Sequence, residues 1–300
     1  MELRSVDTVD TTLATPAAVR RLAAKYGFTF RKSLGQNFLI DGNILREIIQ
    51  IAEIGKSDTV IEVGAGIGTL TRALGSTAGR VLALEVDRRL GPILQETVSD
   101  YDNVELIWED ALELDWRRFQ ELHGLSRVKL VANLPYYITS PLLVNLFQQS
   151  SFLESMTVMV QREVGERFTA EPGTKAYGTL TVLAGYYSEV EICQIVPPTV
   201  FVPPPEVESA IVKFTFRPPE VEAVDPTLLW TTVKAAFNQR RKTVANSLAS
   251  SLKPSVSKVE IHAILHACGI APERRAETLT VGDFVKLANQ LAALDTGDRK

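Results

Sequence analysis

The stretch Glu62-Val63-Gly64-Ala65-Gly66-Ile67-Gly68, leaving an apolar strand and entering a helix at Thr69-Leu70, constrains the fold more than any other part of the chain. Glycines at such a junction allow a tight turn and a close backbone approach to a ligand, while the helix that follows presents unpaired amides. Around this turn, short apolar runs alternate with helical patterns, and strands are expected near 59–63, 80–86, 104–108, 128–133 and 155–161. Val81-Leu82-Ala83-Leu84 has no polar face, so these strands belong in a parallel sheet covered by helices on both sides. A strand pair near 188–196 and 208–216, bracketing the proline-rich 197–205, is expected to add an antiparallel edge. The fold class is α/β, Rossmann-like and mostly parallel.

Thr15-Pro16 reads as a helix cap and first turn, Gly27 as its stop, and Asp41 as the start of a second helix with Ile44, Leu45, Ile48, Ile49 and Ala52 on one face. After Arg217-Pro218-Pro219 the alternation ends, and helices are expected near 226–237, 240–252, 256–267 and 281–293. The expected division is a polar tail at 1–14, a sheet domain at 15–217 and a small all-helical domain at 218–300, and 300 residues suffice for two cores.

Cys193 and Cys268 have no paired spacing, and the N-terminus lacks the layout of a secretory signal, so a cytoplasmic protein is expected. The uncharged run from Leu130 to Leu153 is too rich in prolines, amides and hydroxyls to span a membrane. His262 and His266 stand four apart on a helical pattern but lack a third ligand, and no metal is expected. The net charge of -4 hides an uneven distribution. Residues 15–46 carry six Lys/Arg against one Asp, residues 221–300 eleven against eight acids, and the middle fourteen against twenty-four. Basic segments flanking an acidic middle suit a nucleic-acid backbone if folding gathers them on one face.

A dinucleotide fingerprint starting at Gly64 would need glycine at position 69, where this chain has Thr69, which disfavours a dehydrogenase. The G-x-G-x-G form resembles the first motif of class I methyltransferases, which implies S-adenosylmethionine as cofactor. Glu85 ends the second strand, where a carboxylate can accept from both ribose hydroxyls, and Asp110 ends the third, where it can accept from the adenine amino group. Gly64, Gly66, Glu85, Asp110 and Asn133 are thus expected to bind the cofactor.

The fourth strand delivers Asn133-Leu134-Pro135-Tyr136, which suits methylation of a planar exocyclic amine. Such a nitrogen is a poor nucleophile because its lone pair is delocalised into the ring. The Asn133 side-chain oxygen and the Leu134 carbonyl can accept both amine hydrogens and localise that pair, Pro135 stiffens the loop, and Tyr136 offers a stacking face. No strong base is needed, because the nitrogen becomes acidic once alkylated.

With these residues, the chain resembles the small-subunit ribosomal RNA adenine dimethyltransferase family from about residue 20 to 290. Gly35-Gln36-Asn37-Phe38-Leu39 resembles the segment that folds over the cofactor, implying contacts from Asn37 and the Leu39 backbone. Phe201-Val202-Pro203-Pro204-Pro205-Glu206-Val207-Glu208-Ser209 resembles the family's proline-rich loop and implies that Phe201 flanks the target base opposite Tyr136. Ala236 to Thr243 resembles its basic helical segment. Glu206 and Glu208 depart from the lysine and aspartate common at those positions. The resemblance implies dimethylation at N6 of two adjacent adenines near the 3′ end of 16S rRNA, with the substrate a pre-30S particle and the enzyme a monomer. Arg240, Arg241, Lys242, Arg20, Arg21, Arg31 and Lys32 are the expected phosphate contacts. The alternatives are a 23S rRNA adenine dimethyltransferase of the macrolide-resistance type and an RNA-binding assembly or transcription factor that has lost catalysis.

Overall fold

The computed structural model describes residues 9–29, 36–149, 151–239, 241–252 and 256–297. Helix α1 (Pro16–Tyr26) starts where the Thr15 hydroxyl accepts from the Ala18 amide at 3.1 Å, and stops at Gly27 in the left-handed conformation. The two-residue strand β1 (Phe38–Leu39) leads to α2 (Gly42–Ile51), which Asp41 caps and whose buried face is Ile44, Leu45, Ile48 and Ile49.

The alternation then runs β2 (Thr59–Val63), α3 (Thr69–Thr77), β3 (Arg80–Leu84), α4 (Gly91–Thr97), β4 (Val104–Ile107), α5 (Trp116–His123), β5 (Val128–Asn133), α6 (Thr139–Gln149) and β6 (Leu153–Gln161). There follow α7 (Arg162–Phe168), α8 (Thr179–Tyr187), β7 (Ser188–Val196), β8 (Phe201–Val202) and β9 (Ser209–Phe216). The main sheet has the order β4-β3-β2-β5-β6-β9-β7. Its pairings from β4 to β6 are parallel, and β9 joins β6 antiparallel with Ser209 opposite Gln161. The chain winds outward from β2 through β3 to β4, then returns to the other side of β2 with β5. Such a reversal opens a crevice at the carboxyl ends of the two central strands, the usual ligand position in open α/β sheets. A separate two-stranded ribbon pairs β1 with β8 antiparallel, Leu39 opposite Phe201.

Two compact units emerge: one comprises the chain up to Gly165 together with Val190–Phe216, the other Glu166–Glu189 together with the chain from Arg217. The second contains α8, α9 (Pro226–Phe237), α10 (Val244–Ser251), α11 (Lys258–Ala267) and α12 (Val281–Gly297). The helical unit therefore takes in a segment that the expected boundary at 218 assigned to the sheet domain. Tyr177, Val182 and Tyr186 are buried in one apolar core with Val233, Leu248, Ile261 and Phe284. The Tyr177 hydroxyl donates to the Leu279 carbonyl at 2.7 Å, and the Ala223 amide donates to the Tyr186 hydroxyl at 3.0 Å.

Two further expectations are corrected. The polar tail does not extend to residue 14, because Val9, Leu13 and Ala14 are buried and Asp10 is held by Arg72 (2.7 Å) and the Tyr101 hydroxyl (2.5 Å). The helix expected from 240 begins only at Val244, capped by the Thr243 hydroxyl, which leaves Arg241 and Lys242 in the turn before it. Among the described residues no helix is long and apolar enough to cross a membrane.

Candidate active site

A cleft of about 1120 Å³, counted to its open mouth, lies at the carboxyl ends of the central strands. Four strand ends contribute to its lining: the glycine turn after β2, Glu85 after β3, Asp110 after β4 and Asn133 at the end of β5. Asn37, Leu39, Leu134, Pro135, Tyr136 and Phe201 line it too.

The glycine turn is built for contact. Gly66 has φ of 60°, a conformation that favours glycine, and a Cβ there would stand 3.0 Å from the Phe38 ring, which would have to give way. Its amide donates to Glu85 Oε2 at 2.8 Å, while Glu85 Oε1 accepts from the amides of Val86 (3.0 Å) and Asp87 (2.9 Å). Burial raises the Glu85 pKa against these three bonds, which lower it. Of roughly four acceptor sites on a carboxylate, three are filled by backbone, so two ribose hydroxyls would have to share what is left or displace an amide. Asp110 is exposed at its turn, with one oxygen accepting from the Leu112 amide at 2.9 Å.

Glu62 also lines the cleft, is 1% exposed, and among the described residues its Oε2 has no hydrogen-bond partner, nor does the buried Thr69 hydroxyl, which lines the cleft too. Burial pushes the Glu62 carboxyl up to about 8, with the nearby Thr71 hydroxyl opposing the rise and the Glu85 charge adding to it. Orphaned buried polar atoms are costly unless a ligand completes them. A cradle of glycine backbone, two acids and an unpartnered hydroxyl fits a ligand with ribose hydroxyls and a cationic end, as S-adenosylmethionine has.

At the other end of the cleft, the Asn133 side-chain amide donates to the Asn37 carbonyl at 3.1 Å. That bond fixes which end of the amide points where, leaving Oδ1 as an acceptor. The Leu134 amide is used by the Met159 carbonyl (3.1 Å), while among the described residues no donor reaches the Leu134 carbonyl. The Pro135 carbonyl is held by the Ile138 amide and the Thr139 hydroxyl, at 3.1 and 3.2 Å, which pins the loop to the start of α6. Tyr136 is half-buried with its hydroxyl 2.9 Å from Ser209 Oγ. Phe201 is only 3% exposed, held by β1 and the apolar core, so it reaches the cleft as an edge of wall and not as a free ring. The more open apolar surfaces at the mouth are Tyr137 (53% exposed) and Val86 (49%), neither singled out from sequence.

Of the expected phosphate contacts, Arg20 and Arg21 are exposed on α1, and Arg241 and Lys242 are exposed in the helical unit. Arg31, Lys32 and Arg240 lie outside the described residues. Sequence reading also gave no role to Glu62, although a charge within the otherwise apolar β2 was a signal, nor to Ser209, whose partner is 73 residues away.

Comparison with known proteins adds to this geometry. The family model for ribosomal RNA adenine dimethylase matches residues 27–293. Ribosomal RNA small subunit methyltransferase A of Staphylococcus epidermidis is 47% identical over 282 residues, covering 93% of this chain and 95% of that protein. The protein of the same name from Geobacillus kaustophilus is 45% identical, with 94% and 98% covered. Among solved structures, a dimethyladenosine transferase from Plasmodium falciparum superposes with a TM-score of 0.72 at 25% identity, covering 87% of this chain and 98% of that one. The 23S rRNA methyltransferase ErmE superposes at 0.62 with 26% identity, covering 85% and 100%.

Proposed function

The chain belongs to the ribosomal RNA adenine dimethylase family, and on that footing we propose that it methylates N6 of two adjacent adenines in a 3′-terminal hairpin loop of 16S rRNA, within a pre-30S particle. The product is N6,N6-dimethyladenine. The observation that carries this reading is the oriented Asn133 amide, its nitrogen committed to Asn37 and its oxygen left as an acceptor, followed in the chain by a Leu134 carbonyl that no donor reaches among the described residues. Two acceptors at one loop match the two hydrogens of a primary amine.

S-adenosylmethionine, when bound, supplies a methyl group activated by its sulfonium charge. Gly64, Gly66, Glu85, Asp110, Asn37 and the Leu39 backbone would hold it, joined by Glu62 and Thr69, whose free polar atoms support that assignment. Asn133 and Leu134 draw lone-pair density onto the amine nitrogen and aim it, which lowers the barrier mainly through orientation. The aromatic face of Tyr136 stacks the base and favours positive charge beside it. A base stacked within a stem cannot enter a cleft at strand ends, so the target is a loop nucleotide or one turned out of its stack. Arg20, Arg21, Arg241 and Lys242 are proposed to grip the phosphate backbone.

The choice of 16S over 23S rRNA is supported by the grading of similarity, about 45% identity to small subunit methyltransferases against 26% to ErmE. The test is transfer of labelled methyl from the cofactor to unmodified small-subunit particles, with digestion of the RNA. Dimethyladenine is expected. No transfer to any ribosomal RNA refutes the reading, and transfer confined to 23S rRNA replaces the substrate.

A further inference from the structure

The two methyl transfers to one nitrogen are not equivalent for this site. Each forms an N–C bond from the nitrogen lone pair as the S–C bond breaks, its electron pair staying on sulfur, and the alkylated nitrogen then sheds one proton to water. The unmodified amine brings two hydrogens to the two acceptors at Asn133 and Leu134. After the first transfer one hydrogen remains, so one acceptor is idle and hydrogen bonding no longer fixes the rotation of the base. A larger share of the positioning then falls on the stacked face, and that face is Tyr136.

Tyr136 is not free to tilt. Its hydroxyl lies 2.9 Å from Ser209 Oγ, and Ser209 is 1% exposed. The anchor is rigid because Ser209 opens β9 opposite Gln161 of β6. One residue earlier, the Arg162 amide donates to the Glu208 carbonyl at 2.9 Å, and the Arg162 guanidinium meets the Glu208 carboxylate at the same distance. The glutamate that departs from the common family residue thus still ties this strand end to the chain beyond β6. At the opposite end of the proline-rich loop, Phe201 is held by its ladder to Leu39. Both ends of the loop are therefore fixed, one to the segment beside the cofactor cleft and one, through Ser209, to the ring that faces the base.

We propose that Ser209 is a positioning residue for the second methyl transfer, holding the Tyr136 ring as the wall on which singly methylated adenine stacks. This rests on the adenine dimethylation reading above. The Tyr136 hydroxyl is held above its ordinary pKa by burial, against the Ser209 bond, so it stays protonated near neutrality and the contact is a neutral one.

The test is single-turnover methylation of unmodified small-subunit particles by wild type, Ser209→Ala, Tyr136→Phe and the double variant, with N6-methyladenine and N6,N6-dimethyladenine counted separately and cofactor affinity measured alongside. Loss of one buried hydrogen bond is worth roughly tenfold in a step that depends on it. Ser209→Ala is expected to slow the second transfer about tenfold and the first less than about threefold, so that monomethyladenine accumulates while cofactor affinity is unchanged. Tyr136→Phe, which keeps the ring and the fold, is expected to do the same. The double variant should be no worse than either, and Ser209→Thr should restore the product ratio. Equal slowing of both transfers, or weakened cofactor binding, would mean general loosening and overturn the proposal. Wild type that yields dimethyladenine beside a Ser209→Ala variant with the same product ratio overturns it alone. Wild type that yields none overturns the adenine reading as well.

Discussion

Replacing Glu62 with glutamine keeps the shape of the side chain and removes its ability to ionise. In the native chain this carboxyl is fully buried, one oxygen has no partner among the described residues, and burial raises its pKa from 4.5 to about 8. A carboxyl whose folded pKa lies above its unfolded value binds more protons in the folded state between those two values, so stability falls as pH rises through that window. Between pH 5 and 8.5 a shift of this size amounts to about 4 kcal/mol, at roughly 1.4 kcal/mol per unit. Glu85 remains in both proteins and cancels in the comparison to first order. The buried amide that Glu62→Gln introduces adds an unmet donor costing about 1 kcal/mol, which is independent of pH and drops out of the difference. The variant should therefore match or slightly trail wild type in urea unfolding at pH 5 and exceed it by about 3 kcal/mol at pH 8.5. Its affinity for S-adenosylmethionine should fall, because the cationic end loses an ionisable partner. Parallel stability curves for the two proteins across pH 5–8.5 would refute the account of Glu62 as a neutral buried acid. Unchanged cofactor affinity would refute its place in the cleft.

Asn133→Ala removes the acceptor proposed for the amine and the bond to the Asn37 carbonyl together, so transfer should drop by about 10²–10³. Cofactor affinity should weaken less than tenfold, and both are read by single-turnover methylation beside calorimetry; more than a third of wild-type transfer would remove Asn133 from the mechanism. Asp10→Ala should cost about 2 kcal/mol in urea unfolding at pH 7, since it removes a charged hydrogen-bond partner from both Arg72 and the Tyr101 hydroxyl and leaves Arg72 with Asp100 and the Thr97 carbonyl. Burial alone would raise the Asp10 carboxyl, but Tyr101, Thr12 and Arg72 outweigh it and hold it at about 2 against an ordinary 3.8. Because the folded value is the lower one, this stability is present above pH 3.8 and lost as pH falls through about 2, so variant and wild type should converge in acid.

The strands and caps are legible in the sequence because their causes are local. Val81-Leu82-Ala83-Leu84 can only be buried on both faces, Thr15 and Asp41 supply their own capping oxygens, and Gly27 takes the left-handed conformation that stops α1. The chemistry-bearing loops are legible for a related reason, since their residues fall at successive strand ends, which the fold class brings to one crevice. Helix α8 is not legible in this way. Its sequence Thr-Leu-Thr-Val-Leu-Ala-Gly-Tyr-Tyr is apolar around most of its circumference, so no face announces which core it joins. Asp10 reads as part of a polar tail because its partners lie 62 and 91 residues away, and nothing near it in sequence points to them. Ser209 and Tyr136 meet the same limit. Glu62 is legible in principle, as the one charge in β2.

The composition of the helical unit from two separated stretches has a consequence for how the chain is made. Synthesis runs from the N-terminus at about 5–20 residues per second, and α8 is finished at Tyr187 while its later core partners begin only at Ala223, just before α9, and end in α12. Tyr177, Val182 and Tyr186 are thus delivered several seconds or more before the apolar surface that covers them exists. During that interval the sheet can still go on to completion, because β7, β8 and β9 come off next. The growing chain therefore carries a sticky helix ahead of its mates, a natural target for a chaperone that holds nascent apolar segments. For the same reason a shortened gene ending near residue 217 should yield an aggregating product, despite encoding every residue of the cleft.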